Sequence, residues 1–291
     1  MKETNNLLDL KDDKRRISMY KGYIEVYPTE NEHAQLYETP TDNIFDTLTN
    51  QYVIIRDEND EIVDKFKWDG EKYVKLSYKQ INNDYSGKVK PKNPQQELAF
   101  DMLQDKKTTV KVLTGRFGSG KTFLMVTTAL QLVRDGKFDK IIWIRNNQEV
   151  KDTKALGALP GEAMSKLLPF AMPLADHAGG VNGLEYLVSQ DKVNIEHLGW
   201  IRGRDFKHSI IMCSEAENLT KQHVQLLLGR VGEGSNLWID GDFKQTDSAV
   251  FENNSGLYAA IDKLKGNKLF GYVNLEKTER SETAALADLL D

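Results

Sequence analysis

Thr108-Thr-Val-Lys-Val-Leu-Thr-Gly-Arg-Phe-Gly-Ser-Gly-Lys-Thr122 is the stretch whose reading decides the fold. Residues 108–114 are β-branched and apolar enough for a buried strand. Residues 115–122 match G-x-x-x-x-G-K-[ST], and 121–134 continue as a helix. This strand–loop–helix setting gives the motif its meaning. Its glycines let backbone N–H groups turn inward around phosphates, and the helix N-terminus adds positive potential. The nucleotide-binding stretch therefore comprises Gly115, Arg116, Phe117, Gly118, Ser119, Gly120, Lys121, Thr122 and Phe123. Lys121 is placed to reach the β- and γ-phosphates, and the Thr122 hydroxyl to ligate Mg²⁺.

Outward from this loop, strands alternate with helical stretches, the pattern of a parallel α/β sheet. Strands are expected at Lys140–Arg145, Val193–Glu196, Ser209–Cys213, Leu237–Asp240 and Tyr272–Asn274. Helices are expected at Lys221–Arg230, Leu257–Leu264 and Ser281–Leu290, with a longer one, interrupted by Pro169 and Pro173, over Glu162–His177. The expected fold is α/β: a P-loop RecA-like parallel sheet with helices on both faces, over residues 91–291. Residues 1–90 form a small β-rich module and linker.

Within that module Gln51–Arg56 and Ile62–Trp68 read as strands, and Asp69-Gly70 as a two-residue hairpin turn that leads into a return strand over Glu71–Tyr78. Its Lys65, Phe66, Lys67, Trp68, Lys72, Tyr73, Lys75, Tyr78 and Lys79 interleave base and ring. That pattern suits either a stacking platform for single-stranded nucleic acid or a half-buried sheet with solvated lysines on its outer face. Asp84–Asn93 reads as a linker.

Composition sets wider limits. The 291 residues carry 39 Lys and Arg against 44 Asp and Glu, a net charge of −5, which argues against coating nucleic acid by bulk charge alone. No apolar run reaches the roughly 20 residues of a membrane helix, and no secretory signal opens the chain, so a cytoplasmic location is expected. One cysteine, Cys213, excludes an internal disulfide and reads as a small buried hydrophobe. The five histidines stand at no metal-like spacing.

Hydrolysis requires a strand-end acid for the metal and a residue that orients water. The strand Ile210-Ile-Met-Cys-Ser-Glu215 ends in Ser-Glu where Asp-Glu is expected. Glu215 is suited to position or deprotonate water, whereas Ser214 offers only a hydroxyl to a metal-bound water. Arg145, at another strand end, suits either a phosphate or nucleic-acid contact or a plain surface ion pair. Arg202 and Arg204 suit a grip on a phosphate backbone, the sensing of nucleotide across a subunit boundary, or a salt-bridged loop.

Further blocks carry a resemblance. Gly241-Asp-Phe-Lys-Gln245 resembles the G-D-x-x-Q element of superfamily-one helicases, Leu275–Ser281 resembles their element ending in Arg-Ser, and Asn93-Pro-Gln-Gln96 their glutamine motif. In this order, and with Leu156–Glu162, Ile201-Arg-Gly-Arg204 and Ser214-Glu-Ala-Glu-Asn218, they are most similar to the PhoH-like family of ATPases. That resemblance implies that Gln96 recognises adenine, Gln245 senses the γ-phosphate and Arg280 stabilises developing charge. The implied catalytic set is Lys121, Glu215, Gln245 and Arg280, with Thr122, Ser214 and Glu215 at the metal. It further implies ATP and Mg²⁺ as ligands, a single-stranded RNA or DNA partner, and a homo-oligomer such as a hexameric ring. Departures include Ser214 for Asp, Asn146 for Pro and Glu217 for Gln. Met1–Pro28 is too short for the PIN nuclease domain of longer members, a short form that suits a bacteriophage. Ser214 motivates the alternative of an ATP-bound switch with little hydrolysis, controlling a partner. A small-molecule kinase is a remoter reading.

Overall fold

The computed structural model describes residues 20–145, 168–245 and 254–279. Its centre is a six-stranded, all-parallel sheet of β7 (Val110–Gly115), β8 (Lys140–Arg145), β9 (Val193–His197), β10 (Ser209–Ser214), β11 (Asn236–Gly241) and β12 (Phe270–Leu275), in the order β12-β7-β11-β10-β8-β9. Every residue of β10 and of β11 is buried, as expected for inner strands covered on both faces.

Side-chain alternation divides the core in two. Met212 and Trp238 face one side, together with Leu98 and Phe100 of α2 (Pro94–Gln104) and Leu124 and Met125 of α3 (Lys121–Arg134). Cys213 and Ile239 face the other, against Val224 and Leu227 of α6 (Lys221–Leu228) and Leu257 and Ile261 of α7 (Gly256–Leu264). Cys213 is fully buried, and burial raises its thiol well above the ordinary range, so it packs as the small hydrophobe the sequence suggested.

The N-terminal region holds a four-stranded sheet, β1-β2-β3-β4 (Tyr23–Val26, Tyr52–Arg56, Ile62–Trp68, Tyr73–Lys75), with α1 (Glu30–Glu38) after the first strand. Three expectations are corrected here. The Asp69-Gly70 turn is longer than two residues: Trp68 pairs with Tyr73, and the Asp69 carboxylate bridges the four-residue loop by accepting from the N–H groups of Glu71 and Lys72. Half of the supposed linker is structured, because β5 (Ile81–Asn83) and β6 (Gly87–Val89) form a hairpin against α3. The helix foreseen over Glu162–His177 is, from Leu168 onward, a 3₁₀ turn (Leu168–Ala171) and the single-turn α4 (Met172–Ala175), where Pro169 and Pro173 prevent a continuous ladder. Residues 162–167, the Leu156–Glu162 block and the Ser281–Leu290 helix lie outside the described residues. Between α4 and β9 runs α5 (Gly180–Ser189), a helix absent from the expected set.

The interleaved lysines and aromatics also resolve into packing. Phe66, Trp68 and Tyr73 are buried in a cluster with Val53, Ile55 and Leu36 of α1, so they offer no ring face for stacking bases. Nor are the lysines on the opposite face solvated. Lys65 pairs with Glu97 at 3.0 Å, and Lys67 with Asp105 at 2.8 Å and Asp101 at 3.3 Å, all on or just past α2. Burial alone would pull Lys67 down, but the Asp101 and Asp105 carboxylates more than offset it and hold the ammonium above the usual lysine range. Tyr52 adds a 2.8 Å bond to Asp101, and the Asn50 amide donates to the Phe270 carbonyl of edge strand β12 at 3.0 Å. The module thus packs onto α2 and covers part of the sheet's edge.

Removing one member of such a buried ionic group leaves charge uncompensated. Lys67→Ala is expected to lower stability by roughly 2–4 kcal/mol, measured by chemical denaturation, whereas Lys72→Ala, on an exposed loop, is expected to change it by less than about 0.5 kcal/mol.

Candidate nucleotide site

All six strands of the main sheet point the same way, so their C-terminal ends share one edge, where the crevice of an open α/β sheet binds its ligand. A cleft of about 630 Å³ opens there. Its walls come from the 115–122 loop and Phe123, from the ends of β10 and β11, and from Gln96, His177, Gln245 and Glu279.

The loop leaves β7 at Gly115, whose φ of 148° and close approach to β12 exclude any side chain: a Cβ there would stand 2.3 Å from the Leu275 carbonyl oxygen. Gly118 and Gly120 both take positive φ, and Gly120 caps α3 without a side chain, leaving the helix's first N–H groups directed at the cleft. The Lys121 ammonium lies over the loop, donating to the carbonyls of Gly115 (2.7 Å) and Arg116 (3.0 Å). Phe117 lines the cleft, and Phe123 packs edge-on against His177. Ser119 is fully buried and its hydroxyl finds no partner among the described residues.

Four acidic side chains from two neighbouring strand ends meet this loop. Asp240, the last residue but one of β11, is 3% exposed and accepts the Thr122 hydroxyl at 2.7 Å. Asp242 follows, buried, with one carboxylate oxygen unpartnered among the described residues. Ser214 ends β10 and Glu215 follows it, and Glu217 sits buried just beyond, accepting the Asp242 N–H at 2.9 Å. Glu215 adopts a left-handed backbone, φ 59°, unusual for a residue with a side chain and frequent at working sites. Its carboxylate is held by Arg145 from β8 in a two-pronged pair, with Nε to Oε2 at 2.9 Å and Nη2 to Oε1 as the second prong. Of the two readings for Arg145, the ion pair is the one seen, and Arg145 is not among the residues lining the cleft. Among the described residues no three His, Cys, Asp or Glu side chains gather as a self-contained metal cage.

Gln96 lies beside the loop, its amide donating to the Ser119 carbonyl at 3.1 Å and accepting from the Lys92 N–H at 2.9 Å. Gln245 stands at the cleft after a tight turn onto Asp242. Arg280 and Asn146 lie outside the described residues. Glu279, just before Arg280, donates its N–H to the Gly118 carbonyl at 2.9 Å and accepts the Asn93 amide at 2.6 Å. Of the loop arginines, Arg204 is engaged with Glu196 at 3.0 Å and lies over Phe206. The expected set omitted Asp240, Asp242 and Glu217. The signal for Asp240 was present: it stands two residues past Trp238 and so shares that residue's face of the strand.

Desolvation pushes the Glu217 carboxyl up to about 8; the Asp242 N–H bond opposes this, and the charges of Asp240 and Glu215 add to it. The unfolded chain loses this proton near 4.5 and the folded chain only near about 8, so the folded state carries a penalty that grows as pH rises between those values. Glu217→Gln keeps the acceptor and removes the titration. Its melting temperature is expected to match the parent near pH 4.5 and to exceed it increasingly toward pH 8, by roughly 1–3 kcal/mol of stability. A constant difference across that range would contradict a buried neutral carboxyl.

Comparison with known proteins agrees with this geometry. A family model described as PhoH-like protein matches residues 88–288. Protein PhoH2 of Bacillus subtilis (strain 168) is 31% identical over 94% of this chain and 64% of its own length. Protein PhoH of Escherichia coli (strain K12) is 28% identical over 57% of this chain and 48% of its own. The chain thus spans less than two thirds of these relatives. Among solved structures, Pif1 helicase from Candida albicans aligns over 69% of this chain and 44% of its own, with a TM-score of 0.39 and 17% identity. A phosphate loop, an acidic strand end and a Gly-Asp turn set on one sheet edge, inside a match running from 88 to 288, place the chain in the PhoH-like family of P-loop NTPases.

Proposed function

We propose that this chain binds ATP with Mg²⁺ and hydrolyses it, coupling turnover to single-stranded RNA or DNA. The observation that carries the reading is the meeting of Lys121, Thr122, Glu215 and Gln245 in one cleft, at the amide-rich start of α3. Loop N–H groups and the Lys121 ammonium would hold the β- and γ-phosphates, releasing the two carbonyls that Lys121 now caps. Mg²⁺, when bound, neutralises phosphate charge and orients the terminal phosphoryl group. Thr122 and the carboxylates at the ends of β10 and β11 are of the right chemistry to hold it.

Glu215 is the residue suited to orient water and accept its proton, and Arg145 sets the direction of that carboxylate. Gln245 is placed to sense the γ-phosphate. Gln96, already bonded to Ser119, would report adenine occupancy to the loop. The nucleic-acid partner rests on the likeness of Gly241–Gln245 to the helicase element. With a single phosphate loop in the chain, movement along a strand requires neighbouring copies, hence the proposed homo-oligomeric ring, with Arg280 completing the charge at the phosphates.

The switch reading keeps one specific support: both Glu215 oxygens are occupied by Arg145. Phosphate release with and without single-stranded RNA or DNA separates the two. Turnover stimulated by nucleic acid, and reduced at least about 100-fold by Lys121→Ala, is the expected result. Nucleotide binding without turnover under any of these conditions would favour the switch.

A further inference from the structure

The strand end expected to supply a carboxylate to the metal, β10, presents Ser214 instead. One strand nearer the phosphate loop, β11 carries a carboxylate, Asp240, at its last position but one. β10 and β11 pair in parallel with Met212 beside Trp238 and Cys213 beside Ile239, so one step further Ser214 lies beside Asp240. By strand alternation both share the face of Met212 and Trp238, the face covered by α3. The same site is therefore reachable from either strand, displaced sideways by about 4.8 Å. Asp240 already touches the residue that defines it, accepting the Thr122 hydroxyl at 2.7 Å.

Burial supplies the second argument. Asp240 is 3% exposed and Asp242 5% exposed, and among the described residues neither has an ion pair. One Asp242 oxygen accepts the Lys244 N–H at 3.0 Å, and the other has no partner among the described residues although the residue lines the cleft. Two buried carboxylates without a counter-charge are costly unless a cation completes them. The Lys121 ammonium is turned to loop carbonyls and does not serve.

We propose that Asp240 of β11, with Asp242 behind it, carries the metal-holding role left open by Ser214. The carboxylate has moved one strand across the sheet while keeping its reach to Thr122. Ser214 then serves as a small neighbour whose hydroxyl leaves room for that carboxylate. This rests on the nucleotide reading given above. It alters one consequence of it: Ser214 ceases to be a reason for weak metal binding.

The test compares the affinity for a fluorescent non-hydrolysable ATP analogue in Mg²⁺ and in EDTA, a readout independent of turnover. In the parent chain Mg²⁺ should strengthen binding. Asp240→Asn, which keeps an acceptor for Thr122, should lose that enhancement by roughly 10- to 100-fold while binding in EDTA is retained. Ser214→Ala should keep the enhancement within about threefold. Moving the carboxylate back, with Ser214→Asp and Asp240→Ser together, should restore it, and this pair decides the matter if Asp240→Asn binds nothing in EDTA. Enhancement that survives Asp240→Asn but disappears in Ser214→Ala, or a paired exchange that restores nothing, overturns the assignment. No binding by the parent chain in either buffer would instead remove the nucleotide reading itself, and the assignment with it.

Discussion

The cleft exists because β7, β11, β10 and β8 run parallel and in register, ending at one level. Leu113 lies beside Asp240, Thr114 beside Gly241, and Ser214 beside Arg145. Each pairing is fixed by backbone hydrogen bonds within a sheet buried on both faces, where slipping by one residue would turn every core side chain to the wrong side. The phosphate loop, the acidic residues and Arg145 therefore owe their relative positions to the ladder, and little to their own flexible side chains. Gly115 extends the same constraint, since β12 passes too close for any side chain there.

Charge is concentrated on this edge in an uneven way. Asp240, Asp242, Glu215 and Glu217 gather in a cleft whose other walls carry Lys90, Lys92, Lys121 and one helix N-terminus. Three devices keep the arrangement tolerable without a protein-borne counter-ion for each. Arg145 neutralises Glu215, Glu217 is held protonated by burial, and Thr122 donates to Asp240. What is left over is negative, buried and close to the point where triphosphate would lie. A cation arriving with the nucleotide would satisfy both partners.

The N-terminal module contributes to the same edge from a distance. Its lysines fasten α2, and α2 begins at Asn93, whose side chain caps the helix through the Gln96 N–H and also bonds Glu279. Glu279 in turn holds the carbonyl of Gly118. A chain of direct contacts thus runs from the four-stranded sheet to the phosphate loop. The aromatic residues that alternate with those lysines are consumed by the module's own core, so the pattern that suggested base stacking reflects a sheet packed on both faces.

Local chemistry was legible from the residues alone. The 115–122 loop, α3 at Lys121–Arg134, β3 at Ile62–Trp68 and β8 at Lys140–Arg145 emerge with the bounds their patterns suggested, because glycine conformation, apolar period and strand propensity act over a few residues. The four-residue turn at Asp69 and the hairpin inside the supposed linker escaped, since a side-chain bridge in one case and packing on α3 in the other outweighed local signals. Only the tertiary structure decided that Lys67 meets acids 34 and 38 residues further on, that Arg145 belongs to Glu215, and that Asp240 rather than Ser214 touches Thr122. Those pairings join residues far apart in the chain. They follow from strand order, which no local pattern encodes and which burial and hydrogen bonding settle together.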